Sequence, residues 1–475
     1  MRMNRDALFL LIASFTFLLP INGDNSYHLQ QMKAMRELRS SISSRRQLAA
    51  GDAPAPSPVS ISPSPQQMAQ VGDSPRVYDV TSYGADPTGG RDSTDAFSTV
   101  LSDLVKGPTS GTMLKDIKNF GGAQIHLAGG NYLISKPLRF PSAGVGNVVI
   151  VGGSLRASDD FPTDGYLIDL SSKSSSDYDY EYITLRDLML DSNFRGGGIF
   201  LNDAVRITID NCYVTHFTTD GISVNGGHET LIRNTFIGQH ITAGGDPDER
   251  KFSGTGIALN GNDNAVTDVV IFSAGVGVMI TGQANILTGV HCYNKASGFG
   301  GTGIYIKLPG LSQTRIVNSY MDFTGITVED PVQLTISDTF FLGGAYVVFK
   351  SVKGVAKGVS VVNNMFSGSG GDTVRLEGEF NEIGGVLVDG NSVNGGMNLK
   401  ATVARGSTSA NGTSWTVDFN SELLFPNRIS HAQYSLVSST AGAFPRHALR
   451  NITGNVVVVE SDVPVTASVF AAVSQ

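Results

Sequence analysis

From Gly196 to Lys400 the apolar positions fall into a phrase that returns about every 22 to 27 residues: a small or polar residue, Gly, then a short alternating apolar run. It reads Gly197-Gly198-Ile199-Phe200-Leu201, Asp220-Gly221-Ile222-Ser223-Val224, Thr255-Gly256-Ile257-Ala258-Leu259, Val276-Gly277-Val278-Met279-Ile280, Thr302-Gly303-Ile304-Tyr305-Ile306 and Thr324-Gly325-Ile326-Thr327-Val328. It then decays into Ala345-Tyr346-Val347 and Asp372-Thr373-Val374. The alternation has period two and is rich in Val, Ile and Thr, with Gly and Asn as breakers, so each phrase is predicted to be a strand rather than a helix. A second family of strands lies between the phrases, including Val205–Ile209, Glu229–Arg233, Thr314–Val317 and Gln333–Ile336, each followed by Asn or Asp at or near a turn. Two or three short strands per repeat, stacked in parallel with apolar residues inward, define an all-β solenoid, a parallel β-helix.

The ends of such a coil need covers, because an open rung is a row of unpaired backbone groups. At the start, Val77–Val80 reads as a strand and Gly84–Gly90 as a turn. Asp92 or Ser93 then caps a helix running to about Val105, placed to plug the open end. Beyond Thr402 the period is lost, and four strand-like runs around Trp415, Tyr434, Val456 and Val469 are expected to cover the last rung. The reading divides the chain into a leader (1–23), a basic and Pro/Ser-rich linker or pro-segment (24–75) with a short amphipathic helix over Ser26–Arg46, the β-helix (76–401) and a C-terminal β cap (402–475).

Composition narrows the setting. Arg2 and Arg5 precede an apolar run from Ala7 to Leu19 and a small residue, Gly23, which is the layout of a secretory signal peptide; the run falls short of the roughly 20 residues that span a bilayer. Asn411-Gly412-Thr413 and Asn451-Ile452-Thr453 are N-glycosylation acceptors and agree with secretion. Cys212 and Cys292 fall on rungs three apart, roughly 14 Å at the strand spacing, and are expected to be buried free thiols. The chain has 475 residues, a formal net charge of −8 and 16% charged residues with no basic stripe, which argues against nucleic-acid binding. The expectation is a monomer with no membrane span.

The residues Tyr83-Gly84-Ala85-Asp86 with Asp92-Ser93-Thr94-Asp95-Ala96-Phe97 resemble the opening signature of the pectate-lyase-like superfamily. Asp191-Ser192-Asn193-Phe194-Arg195-Gly196-Gly197-Gly198, Gly238–Pro247 and Asn285–His291 are similar to the plant quartet-type polygalacturonases. The resemblance covers about Arg76 to the C-terminus. It implies a right-handed, single-stranded parallel β-helix of the pectin-lyase-like kind and a secreted pectinase that acts on galacturonan in plant cell walls without a cofactor, with a role in separating pollen from the tetrad wall. Mainstream members carry Asn-Thr-Asp, Asp-Asp, Gly-His-Gly and Arg-Ile-Lys patches on successive rungs. Here Thr218-Thr219-Asp220 matches the first with Thr for Asn, and Tyr305-Ile306-Lys307 matches the last with its Arg replaced. The middle two rungs read Gly254-Thr255-Gly256 and Gly275-Val276-Gly277.

Spacing suggests where a second acid could come from. Ile222 to Ile257 spans 35 residues, whereas Ile199 to Ile222 spans 23 and Ile257 to Val278 spans 21, so about 12 residues are inserted beside Asp220. The insert, Thr242 to Arg250, carries Asp246, Asp248, Glu249 and Arg250. Glycosidic hydrolysis by inversion uses one protonated and one ionised carboxyl about 6.5 to 9.5 Å apart. Asp220 and Asp246 are the expected pair, Asp248 the substitute, and His240 an orienting or proton-tuning group. A crowded acidic cluster would raise one pKa, which suits a general acid. Arg195, Arg250 and Lys307 are candidates to hold uronate carboxylates, and Asn262 and Asp263 to line the face, although Asn runs at solenoid turns also stack on one another. Two other readings use the same fold: a calcium-dependent pectate lyase, with no metal-ligand set legible beyond the insert acids, and a catalytically weak pectin-binding wall protein.

Overall fold

The computed structural model describes residues 75–475 apart from 172–177, 244–246 and 440. The leader, the segment 24–75 up to residue 74 with its expected helix, and Asp246 lie outside the described residues. Within them, thirty-two strands form one parallel array and four more form a separate antiparallel sheet.

The parallel array is a coil with three faces. On the first face, Tyr166–Leu170, Gly197–Asn202, Asp220–His228, Thr255–Asn262, Val276–Ile280, Thr302–Ile306, Ile326–Glu329, Val347–Lys350 and Val374–Glu377 pair in sequence order. The register aligns the phrase residue by residue: Ile199, Ile222, Ile257, Val278, Ile304, Ile326, Val347 and Val374 stack in one inward column, each at most 1% exposed. β-Branched side chains suit this column because they fill a pleated surface with little loss of rotamer freedom.

The Asn and Asp residues after the second-face strands have a backbone reason. Asp187, Asn211, Asn234, Asp268, Asn318, Asp338 and Asn363 all adopt positive φ between 51° and 58°, and Gly289 and Gly390 take the same role on their rungs. A left-handed residue turns the chain sharply between the second and third faces, and Asn, Asp and Gly reach that conformation most cheaply. Inside a neighbouring turn, the buried side chains of Asn264 and Asn285 bond to each other at 3.0 Å, and Asn264 accepts the Thr230 amide.

Both covers are present. The helix Thr94–Lys106 buries Phe97, Val100, Leu101 and Leu104, and Phe97 meets Tyr132 edge-on at 5.3 Å. Asp92, rather than Ser93, accepts the Thr94 amide at its start, at 3.0 Å. At the other end, Val403–Asp418, His431–Ser438, His447–Thr453 and Val456–Ser474 form the antiparallel sheet over a core that includes Trp415, Val417, Val457, Val459 and Val469. The runs around Val456 and Val469 are therefore one 19-residue strand rather than two, and the fourth strand is His447–Thr453. Cys212 and Cys292 are free and buried, and burial pushes both thiols up. No described helix is long and apolar enough to cross a membrane.

Ile257 sits at the centre of the inward column, where neighbouring rungs hold the surrounding side chains in place. Ile257→Ala is expected to cost about 2–5 kcal/mol through lost transfer energy and an uncollapsed cavity, read as a lower midpoint in urea unfolding. A midpoint equal to that of the parent would contradict this packing.

Candidate active site

On the first face, Tyr166, Gly197, Asp220 and Thr255 follow one another on successive rungs at the same register position. Asp220 opens the third of these strands, held there because the Thr218 and Thr219 amides both donate to the Gly196 carbonyl, and the Thr255 amide in turn donates to that of Thr219. Its Oδ2 accepts a hydrogen bond of 3.0 Å from the hydroxyl of Tyr166, two rungs back. The Tyr166 ring stacks on Phe200 with centroids 5.1 Å apart.

Burial pushes the Asp220 carboxyl above its usual range, against the hydroxyls of Tyr166, Thr255 and Ser223, which favour the charged form. Burial, and then the charge of Asp220, push the Tyr166 hydroxyl up to about 12, so it remains a donor. Among the described residues, the raised carboxyl arises from desolvation, which outweighs the three hydroxyls.

The insert is docked through its backbone. Its 3₁₀ helix, Pro247–Lys251, is tied to the loop after Cys292: Lys295 Nζ donates to the carbonyls of Arg250 at 3.0 Å and Phe252 at 3.2 Å, and the buried Glu249 carboxylate accepts the Ala296 amide. Gln239, buried, accepts the Ser253 and Gly254 amides and closes the insert's far end. Asp248 is exposed and bonds Lys251 at 2.6 Å, and Lys251, with a smaller contribution from His240, holds its carboxyl below the usual range. His240 belongs to a row of rings: it stacks on Phe252 at 4.7 Å and meets Phe194 at 5.4 Å, and Phe194 meets His216 at 4.6 Å. His216 bonds Asp191 at 2.8 Å. Burial opposes ionisation of Asp191, yet the His216 ring, the Asn193 amide and Arg156 hold it below the usual carboxylate range.

The cationic candidates are spread out. Arg195 is half-buried, with Nε bonded to the Phe161 carbonyl. Arg250 is exposed and lies 4.3 Å over the Phe299 ring. Lys307 is exposed on the first face. Beside it, Tyr305 takes the place of the expected Arg and donates to Glu329 at 2.7 Å, while Lys350 reaches both at 3.1 and 3.2 Å. Asn262 accepts the Gln283 amide at 2.8 Å from the following rung, which is the stacking role. Asp263 faces His228 at 3.6 Å, and His228 also meets the Tyr178 hydroxyl. Asn411 and Asn451 are exposed on the C-terminal sheet. Among the described residues, no group of three or more His, Cys, Asp or Glu side chains could hold a metal ion.

Sequence reasoning missed Tyr166. The available signal was Gly197 itself: where later rungs carry Asp220, Thr255, Val276 and Thr302, this rung has no side chain, and the space is filled from the rung before.

A parallel coil with these covers is the architecture of the pectate-lyase-like β-helix proteins. Residues 77–318 match the family described as rhamnogalacturonase A/epimerase, pectate lyase-like, and the chain belongs to it. It is 57% identical over 473 residues to the Arabidopsis thaliana protein named Polygalacturonase QRT3, covering 98% of this chain and 96% of that one. Among solved structures, it is similar to the endo-xylogalacturonan hydrolase of Aspergillus tubingensis, with TM-score 0.46 and 14% identity over 68% of this chain and 95% of that one. It is also similar to the A-module of the mannuronan C-5 epimerase AlgE6 of Azotobacter vinelandii, with TM-score 0.44 and 14% identity over 67% and 98%.

Because the folded pKa of Asp220 lies above its unfolded value, the native state binds the extra proton between the two values. The contribution of Asp220 to stability is therefore most favourable in acid and declines as pH rises through the folded value. Asp220→Asn retains an acceptor for Tyr166 without the charge. It is expected to raise the melting temperature at about pH 7 and to change it little at about pH 3.5. The same change at both pH values, measured by calorimetry, would contradict the assignment of Asp220 as a desolvated carboxyl.

Proposed function

We propose that this protein is a secreted polygalacturonase that hydrolyses the α-1,4-galacturonan of pectin in the plant cell wall, and that it serves in the separation of pollen tetrads. The observation that carries this reading is Asp220, a half-buried carboxyl with a raised pKa on the first face. The high identity to a protein named as a polygalacturonase supports the choice of substrate.

In this reading, Asp220 is the general acid. Its proton passes to the glycosidic oxygen as the bond from that oxygen to C1 breaks. A water attacks C1 from the opposite side and gives its proton to a carboxylate of the insert, Asp246, with Asp248 as substitute, so that the product has inverted configuration. A base at Asp246 would sit on a segment anchored at both flanks, by Gln239 and by Lys295 with Glu249. His240, stacked on Phe252 and in contact with Phe194, orients that segment. Arg195, Arg250 and Lys307 hold substrate carboxylates, Arg by the bidentate geometry of its planar fork. Asn411 and Asn451 carry glycans, the region 1–23 is removed on secretion, and the protein works as a monomer without a cofactor.

The protein, with and without chelator, is to be incubated with de-esterified galacturonan at mildly acidic pH, following reducing ends and the ultraviolet absorbance of unsaturated products together. Reducing ends are expected to rise without absorbance and without regard to chelator, and Asp220→Ala to lower the rate by about 10²–10⁴-fold, the usual contribution of a general acid. Absorbance that grows only with calcium would replace the hydrolase with a lyase. Pectin binding with neither signal would leave a wall-binding protein.

A further inference from the structure

The structure places an unusual gap between Tyr166 and Asp220. Gly197 lies on the rung between them, and a Cβ at that position would stand 2.2 and 2.4 Å from Cε1 and Cδ1 of the Tyr166 ring. No side chain can occupy that place while the ring is there. The ring therefore lies across the empty rung, stacked on Phe200, and delivers its hydroxyl to Oδ2 of Asp220. A tyrosine that merely filled the surface would not need a glycine beneath it, nor would its hydroxyl be aimed at a carboxyl two rungs ahead.

We propose that Tyr166 is a positioning residue: by holding Oδ2 of Asp220 from across Gly197, it fixes Oδ1 as the oxygen that carries and delivers the proton. The stronger acceptor of a neutral carboxyl is its carbonyl oxygen, so the oxygen that takes a hydroxyl hydrogen bond becomes the carbonyl and the other becomes the O–H. A carboxyl without such a partner distributes its proton over both oxygens and over rotations of χ2, and only part of that population is productive. Among the described residues, the titratable group facing Asp220 is Tyr166 itself; its other hydrogen-bonding neighbours, Ser223 on its own strand and Thr255 on the next rung, are hydroxyls that stay neutral at every working pH. Tyr166, raised to about 12, also stays neutral through the acid and neutral range. The arrangement is thus a fixed donor rather than a second titrating group.

This inference rests on the reading of Asp220 as the acid. Its test is Tyr166→Phe, which keeps the ring, the stacking on Phe200 and the cover over Gly197 and removes only the hydroxyl. Two readouts are needed: the titration midpoint of the Asp220 carboxyl, followed by carbon NMR in Asp-labelled protein with Asp220→Asn for assignment, and the pH profile of galacturonan hydrolysis. Loss of a donor to the charged form is expected to move the midpoint upward by about half to one pH unit, and the alkaline limb of kcat to move by the same amount. At the same time kcat at the optimum is expected to fall about 10- to 100-fold with KM within about twofold, because orientation rather than binding is lost. An unmoved midpoint would overturn the inference whether or not the parent is active. A shifted midpoint in a parent that releases no reducing ends would uphold the Tyr166–Asp220 link and defeat the hydrolase reading instead. A shifted midpoint with kcat unchanged in an active parent would overturn the positioning role.

Discussion

Everything on the first face depends on the parallel register of the rungs. Strands about 4.8 Å apart, locked by a buried column of Ile and Val, bring residues 21 to 35 positions apart in sequence into line. A slip of one residue would turn every inward side chain out. The left-handed Asn, Asp and Gly residues at the corner between the second and third faces maintain this register from rung to rung, since each turns the chain in the same way before the next strand pairs. Tyr166, Gly197 and Asp220 are aligned only because these two constraints, one of packing and one of backbone, agree.

The chemistry of Asp220 follows from where this register puts it. A carboxyl on a solvated surface ionises in acid, whereas one desolvated among hydroxyls keeps its proton to higher pH. The three hydroxyls around Asp220 soften the penalty without cancelling it, and none of them carries a charge. By contrast, Asp191 and Asp248 have cationic or imidazole partners that hold them ionised. The protein therefore separates these acids by their neighbours: one on the first face tuned to hold a proton, others off it tuned to lose it.

The coil was legible because its signals are local and repeated. The Gly-Ile phrase gave the inward column, and the residues Asn211, Asn234 and Asn318 gave the corners, since Asn adopts positive φ more readily than other non-glycine residues. The C-terminal sheet was less legible. Its 19-residue strand Val456–Ser474 contains Asp462 and Pro464, which read as a break but sit where the strand passes from one partner segment to the next. Tyr166 was hidden for another reason. Ile168 and Ile199 are 31 positions apart and still pair, but the longer interval hides the rung of Tyr166 from a count that starts at Gly196. Its partner two rungs ahead can be recognised only once the strands are paired and the missing Cβ of Gly197 is seen as space. At Asn262 the stacking role that Asn runs at solenoid turns suggest is visible directly, since its side chain accepts the amide of Gln283 from the following rung.

The central claim is that Asp220 delivers a proton to the glycosidic oxygen while water attacks C1 from the opposite side. The most direct measurement is proton NMR of a defined oligogalacturonate during the first minutes of cleavage, before the anomers of the new reducing end equilibrate. Appearance of the β-anomer first is the result expected of inversion. The α-anomer first would contradict it, because a retained configuration requires two successive displacements at C1 rather than a single attack by water.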